Sequence, residues 1–234
     1  MSGGLRFIVF DCDGTLVDSL ARIHIAMEGA FLREGLEAPA LSAVKAVIGL
    51  NLEDAVARVA GERAPDAAAR ARLCEAYRAC YGAVPTDRAA WPLYPGAREV
   101  VETLHAEGFA LGVATGKSRR GLARVLEEHA LADRFSVLLT ADDGPGKPHP
   151  FILEDAMSEA GVAPHETVVI GDTSFDMEMA RAAGAGAIGV GWGYHSESEL
   201  RAAGAHALVQ AFPEILPLAR GGRSVIEGAG SAVR

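Results

Sequence analysis

Apolar positions along the chain fall into two regimes. Leu5, Phe7, Ile8, Val9 and Phe10 form a short continuous run that predicts a buried strand over 5–10. From Asp18 to about Gly82 the spacing turns helical. Asp18 or Ser19 caps a helix running to about Glu34, with Ile23, Met27, Ala30 and Phe31 on one face and Gly35 as its stop. Short helices over 42–47 and 52–60 follow. One more over 66–81 carries the stripe Leu73, Tyr77, Cys80, Tyr81 and Val84, the inner face of a small bundle. From Leu93 onward helices at 97–107, 119–129, 151–160, 175–183 and 197–203 alternate with strands at 109–114, 135–139, 167–170, 187–190 and 207–209.

That alternation implies a parallel sheet with right-handed crossovers. The first strand belongs to the same sheet, so the fold class is α/β with an inserted α-helical domain. The expected boundaries are 1–17 and 87–234 for the α/β core and 18–86 for the insertion, with 83–92, including Pro85 and Pro92, as the return linker. The stretch from Gly221 onward is rich in Gly, Ser and Ala and reads as a loosely ordered tail.

Composition narrows the function. Half of the 234 residues are hydrophobic and 23% are charged, the balance of a globular chain. A formal net charge of -9 argues against nucleic acid as a partner. Three cysteines, Cys12, Cys74 and Cys80, form no disulfide framework and fit a reducing cytoplasm. Cys12 points away from its acidic neighbours in extended chain and reads as a packing residue. No secretory signal or membrane-length apolar run is found, so no membrane partner is expected.

Four polar clusters follow predicted strand ends, where open α/β sheets bind ligands. They are Asp11 and Asp13; Thr115-Gly116-Lys117; Gly146-Lys147-Pro148; and Gly171-Asp172 through Asp176. An Asp-x-Asp-Gly alone is most simply a solvated turn; together the four make a phosphoryl-transfer site. Asp11 suits attack on phosphorus. The encounter is repulsive: at ~4 Å and an effective dielectric of ~20, each unit-charge pair costs roughly 4 kcal/mol. Asp11, Asp172 and a backbone carbonyl, that of Asp13, suit Mg²⁺, and Lys147 supplies a second positive charge. The Thr115 hydroxyl and the Gly116 amide bond phosphate oxygens, with Gly14 beside them. Asp13 suits protonation of the leaving alcohol and deprotonation of the hydrolytic water. Asp176, four residues after Asp172 on one helix face, holds Lys147 or a metal-bound water.

Asp11 to Thr15, Thr115, Lys147 and Gly171-Asp172…Asp176, in that order and context, resemble the four motifs of the haloacid-dehalogenase-like hydrolases that carry a helical cap after the first motif. The stretch Asp11 to Ser19 and the run Ala180-Arg-Ala-Ala-Gly184 are similar to those of phosphoglycolate-phosphatase-like members. The resemblance spans nearly the whole chain. It implies a Rossmann-like core, Mg²⁺ dependence, an aspartyl-phosphate intermediate and a small phosphorylated metabolite as substrate, with the chain a monomer or homodimer. The family's dehalogenases and phosphonate-cleaving enzymes lack the acid at Asp13, and the latter use a cap lysine; Lys45 is the one lysine in the expected cap. Sugar phosphomutases usually carry Glu-Asp where this chain has Gly171-Asp172. An inorganic pyrophosphatase stays open as an alternative, and a non-enzymatic binding protein would have lost Asp11 or Lys147. For selectivity the turn Ile48-Gly49-Leu50-Asn51 is the candidate, with Asn51 and Lys45 as substrate contacts, Lys45 for a second anionic group. His149 reads as a rim residue, and the aromatics of Gly191-Trp192-Gly193-Tyr194-His195 as cleft lining or loop packing.

Overall fold

The structure, a computed structural model of the chain, describes residues 4–85 and 91–229, with 223–229 as backbone only. Six strands, β1 (Phe7–Phe10), β2 (Ala110–Ala114), β3 (Val137–Leu139), β4 (Thr167–Gly171), β5 (Gly186–Val190) and β6 (Ala207–Val209), form one parallel sheet. Their order is β3-β2-β1-β4-β5-β6. The order reverses at β1, and such a switch point opens a crevice at the carboxyl ends of the strands. Phe10 pairs with Val113 on one side and Ile170 on the other. The loops that follow β1, β2 and β4 therefore leave the sheet side by side.

The helices are α1 (Leu20–Arg33), α2 (Leu41–Lys45), α3 (Leu52–Ala60), α4 (Ala67–Ala83), α5 (Ala97–Ala106), α6 (Arg119–Glu128), α7 (Phe151–Ala160), α8 (Ser174–Ala182), α9 (Glu197–Ala203) and α10 (Ile215–Ala229). Side chains alternate across the strands, and so does the core. Ile8, Phe10, Val113, Ile170 and Val190 pack with residues of α5, α6 and α10. Phe7, Val9, Val169 and Ala187 pack with residues of α7, α8 and α9 on the opposite face. This is the α/β Rossmann-like layering, and both covered faces explain why the strands read as continuous apolar runs.

The segment between β1 and α5 contributes no strand to the sheet. Its α1 and α4 lie along each other, and Ile23, Met27, Phe31, Val44, Val56 and Leu73 form an apolar cluster of their own. Phe175 and Tyr194 from the α/β part close that cluster. Asn51 caps α3 and Asp66 caps α4, accepting from Asp54 N and Ala69 N at 2.8 Å each.

Of the two cap candidates for α1, Asp18 Oδ1 accepts from Leu20 N at 3.4 Å, whereas Ser19 makes no side-chain cap bond and turns its hydroxyl to Asp13 at 2.5 Å. Two expectations are corrected. The tail from Gly221 is helical backbone to Ala229, broken at Gly222, where φ is 72°. Ile215 and Ala219 bury on the sheet and anchor this helix, a spacing masked by the small residues after it. Asp172 lies in the turn before α8, whose cap is Thr173, so no shared helix face joins Asp172 to Asp176. The linker core, 86–90, with the expected boundary at 86/87, and residues 230–234 lie outside the described residues.

Candidate active site

The acids after β1 separate into two environments. Asp11 is 1% exposed, and one oxygen accepts from Lys147 Nζ at 2.6 Å. Its other oxygen, Oδ2, is buried and has no hydrogen-bond partner. Lys147 Nζ lies 2.6 Å from Asp176 Oδ1 as well, so one ammonium bridges two carboxylates. Asp176 is the third residue of α8, and its other oxygen accepts from Thr173 N at 3.0 Å and Thr173 Oγ1 at 2.7 Å. This reciprocal capping turns the remaining oxygen back toward Lys147.

Asp172 follows β4 and is fully buried. Thr15 Oγ1 donates to one of its oxygens at 2.8 Å, and Tyr194 N to the other at 2.9 Å. Gly14 sits against it with φ 88°; a Cβ there would lie 2.3 Å from Asp172 Oδ2, so only glycine fits. Asp11, Asp172 and Asp176 each bring an oxygen within 4.8 Å of the others. Burial, then Asp176, raises the Asp11 carboxyl to about 7, with Lys147 opposing the rise. Burial, then Asp11 and Asp176, pushes Asp172 well above the usual carboxylate range. Burial disfavours the Lys147 ammonium, but Asp11 and Asp176 outweigh it and hold it charged.

Asp13 is held apart from this cluster. Lys117 Nζ donates to both of its oxygens, at 2.7 and 2.8 Å, and Ser19 Oγ to one of them. Burial works against the Lys117 charge, yet Asp13 and Tyr81 keep its pKa well above the ordinary lysine value. The Tyr81 hydroxyl of α4 lies 3.4 Å from Lys117 Nζ. Sequence reasoning placed Lys117 in the second cluster without giving it a partner; a lysine two residues past a strand-end Thr, facing another strand-end acid, was the available signal.

Thr115 is buried after β2, and Lys117 N donates to its hydroxyl at 3.3 Å. Gly116 meets the helical segment: a Cβ on it would lie 2.3 Å from the Leu50 carbonyl oxygen. A cavity of about 530 Å³ opens from Asp11, Asp13, Thr115, Gly116 and Lys117 toward the helical segment. Neither expected cap contact lines it. Lys45 exerts its charge on His195 and Glu199, and Asn51 spends its amide on Asp54. The loop after β5 packs rather than lining the cavity. Trp192 stacks on Phe212 and donates to Thr15 O at 3.2 Å. His149 accepts from Phe151 N at 3.2 Å.

Four carboxylates share two ammoniums in a buried site, and the crowding of acids that raises Asp11 and Asp172 is what a bound cation would relieve. The donor set fits a hard divalent cation: it is all oxygen, and Asp11 Oδ2 is an acceptor with no donor. Among the described residues no helix is long and apolar enough to cross a membrane.

The sequence matches the family described as "Haloacid dehalogenase-like hydrolase" over residues 8–190. It is 34% identical to "Probable phosphatase IndB" of Dickeya dadantii, over 89% of this chain and 91% of that protein. It is 32% identical to a phosphoglycolate phosphatase of Cereibacter sphaeroides, over 74% of this chain and 79% of that protein. The fold is similar to the crystal structure of a predicted phosphoglycolate phosphatase from Haemophilus somnus, with a TM-score of 0.81, 25% identity and coverage of 91% and 97%.

Proposed function

This chain belongs to the haloacid dehalogenase-like hydrolases, and from that premise we propose that it is a Mg²⁺-dependent phosphatase that hydrolyses a small phosphate monoester through Asp11. The observation that carries the proposal is the state of the Asp11 carboxylate. One oxygen is fixed by Lys147 and the other is buried with no hydrogen-bond partner. A side chain held this way is oriented, poorly solvated and ready to meet an electrophile.

In the proposed reaction Asp11 attacks phosphorus while the Asp13 carboxyl gives its proton to the departing alcohol oxygen. The aspartyl-phosphate then receives a water that Asp13 deprotonates, which releases inorganic phosphate and restores Asp11. Lys147, the Thr115 hydroxyl and the Gly116 amide hold phosphoryl oxygens. Asp11, Asp172 and the Asp13 carbonyl would hold Mg²⁺, with Asp176 fixing Lys147 beside them. That ion supplies the positive charge that makes a carboxylate's approach to a phosphate dianion tolerable. The helical segment 18–86 acts as a cap, an assignment supported by the Leu50 carbonyl against Gly116 and by Tyr81 beside Lys117. Closure there excludes water while Asp11 attacks.

Phosphate release from p-nitrophenyl phosphate tests this. Asp11→Asn is expected to abolish turnover, and exhaustive EDTA treatment to abolish it until Mg²⁺ is returned. Undiminished turnover by Asp11→Asn, or activity that survives complete metal removal, would overturn the proposal.

A further inference from the structure

The cavity above Asp11 has two unlike surfaces. The helical segment contributes an apolar wall of Met27, Val44, Val47, Ile48 and Leu52, flanked by Tyr77, Tyr81 and the paired Glu53 and Arg78. The opposite lip is the start of α6, where Arg120 and Arg124 line the same cavity. These two are four residues apart on one helix face, about 6 Å along the axis. The other charged groups around the cavity are engaged. Lys117 holds Asp13, Arg78 holds Glu53 at 2.6 Å, and Asp142 accepts from Arg119 N at 2.8 Å. Arg124 lies over the Trp91 ring at 5.0 Å. Neither Arg120 nor Arg124 has a carboxylate within ion-pair distance among the described residues.

A two-carbon acid ester would leave most of about 530 Å³ to water, against an apolar wall. Cavities of this size normally take ring-sized or larger ligands. We propose that the substrate is the phosphate ester of an alcohol combining an apolar, ring-sized body with a second anionic group. The body lies on the wall of Met27, Val44, Val47, Ile48 and Leu52, and the anion meets Arg120 and Arg124. This rests on the phosphatase reading above and adds the class of leaving group. It also moves the second-anion contact from Lys45, which is absent from the cavity lining, to the α6 arginines.

Three esters assayed with Mg²⁺ test it: phosphoglycolate, 4-carboxyphenyl phosphate and its neutral isostere 4-carbamoylphenyl phosphate. Each methylene-equivalent buried on the wall is worth about fourfold in kcat/KM, so both aryl esters are expected to exceed phosphoglycolate by well over tenfold. An ion pair at the cavity mouth is worth up to about fivefold, so the carboxylate should exceed the amide by about that factor. In the double variant Arg120→Gln/Arg124→Gln the carboxylate-to-amide ratio should fall to about one. Equal rates for carboxylate and amide, a preference for phosphoglycolate, or a ratio unmoved by the double variant would each overturn the inference. Absence of hydrolysis of all three esters would instead overturn the phosphatase reading, and this proposal with it.

Discussion

Replacing Lys147 by methionine keeps the length of the side chain and removes its charge. Two contacts of 2.6 Å are lost, each amounting to roughly 6 kcal/mol of attraction at an effective dielectric of ~20. Most of that attraction is offset by the desolvation of three buried charges. Removing one partner of a buried pair costs a net ~3–5 kcal/mol, because the remaining charges stay behind uncompensated. Lys147→Met should therefore lose about that much in urea unfolding of the metal-free protein at pH 8. At pH 5 the loss should be smaller, since Asp11, raised to about 7, is then protonated and leaves less uncompensated negative charge behind. Mg²⁺ should restore part of the stability but little of the activity. An ammonium ~4 Å from a phosphoryl oxygen is worth roughly 4 kcal/mol at the same dielectric, about a thousandfold in kcat. Two results would refute the reasoning: destabilisation below about 1 kcal/mol at pH 8, or kcat within tenfold of the parent enzyme.

Three further outcomes are expected. Metal-free protein should lose stability as pH rises. The Asp11 carboxyl titrates at about 7 when folded and near 3.9 when unfolded, so its stabilising proton is fully bound below pH ~4 and lost through pH 7, a loss of about 4 kcal/mol. Thermal melts with and without Mg²⁺ check this, and the Mg²⁺ increment in Tm should be larger at pH 8 than at pH 5. Thr15→Val removes the 2.8 Å bond to Asp172 and should cost about 1–3 kcal/mol and weaken Mg²⁺ binding, measured by titration calorimetry. Gly116→Ala drives a Cβ to 2.3 Å from the Leu50 carbonyl oxygen. If the helical segment is a hinged cap, it withdraws; melts should then change by less than about 1 kcal/mol while kcat/KM falls more than tenfold. A large stability loss would mean the segment is fixed in place.

The sheet was legible because its strands are covered on both faces and so appear as short unbroken apolar runs. The residues that leave its carboxyl edge were legible for the same reason. Asp11, Thr115 and Asp172 each follow a run directly, and the strand order brings those ends together. What the sequence hid was set by partners far apart along the chain. Lys117 and Asp13 are 104 residues apart, and only their shared position after neighbouring strand ends hints at the pair. The candidate turn lines the cavity through Ile48, Gly49 and Leu50, but its sequence does not show what Asn51 and Lys45 would meet. Asn51 caps α3, and Lys45 is within electrostatic reach of His195 and Glu199.

Asp13 shows how such hidden partners divide labour between two adjacent acids. Asp11 and Asp13 point to opposite consequences of the same strand end. Asp11 enters a cluster of buried carboxylates, where its neighbours add negative charge and a divalent cation is needed. Asp13 receives an ammonium of its own from Lys117 and a hydroxyl from Ser19, so it needs no metal to be stable. In the proposed reaction Lys117 must give up at least one of these contacts when Asp13 takes a proton, and neither side chain belongs to the carboxylate cluster of the cation site. Ser19 sits at the head of α1 and Tyr81 near the end of α4, so both ends of the helical segment touch the Asp13–Lys117 pair. Any opening of that segment must loosen the pair's surroundings. The Asp13–Lys117 pair is then fully assembled only when the cavity is closed, which ties the position of the proposed proton carrier to the exclusion of water.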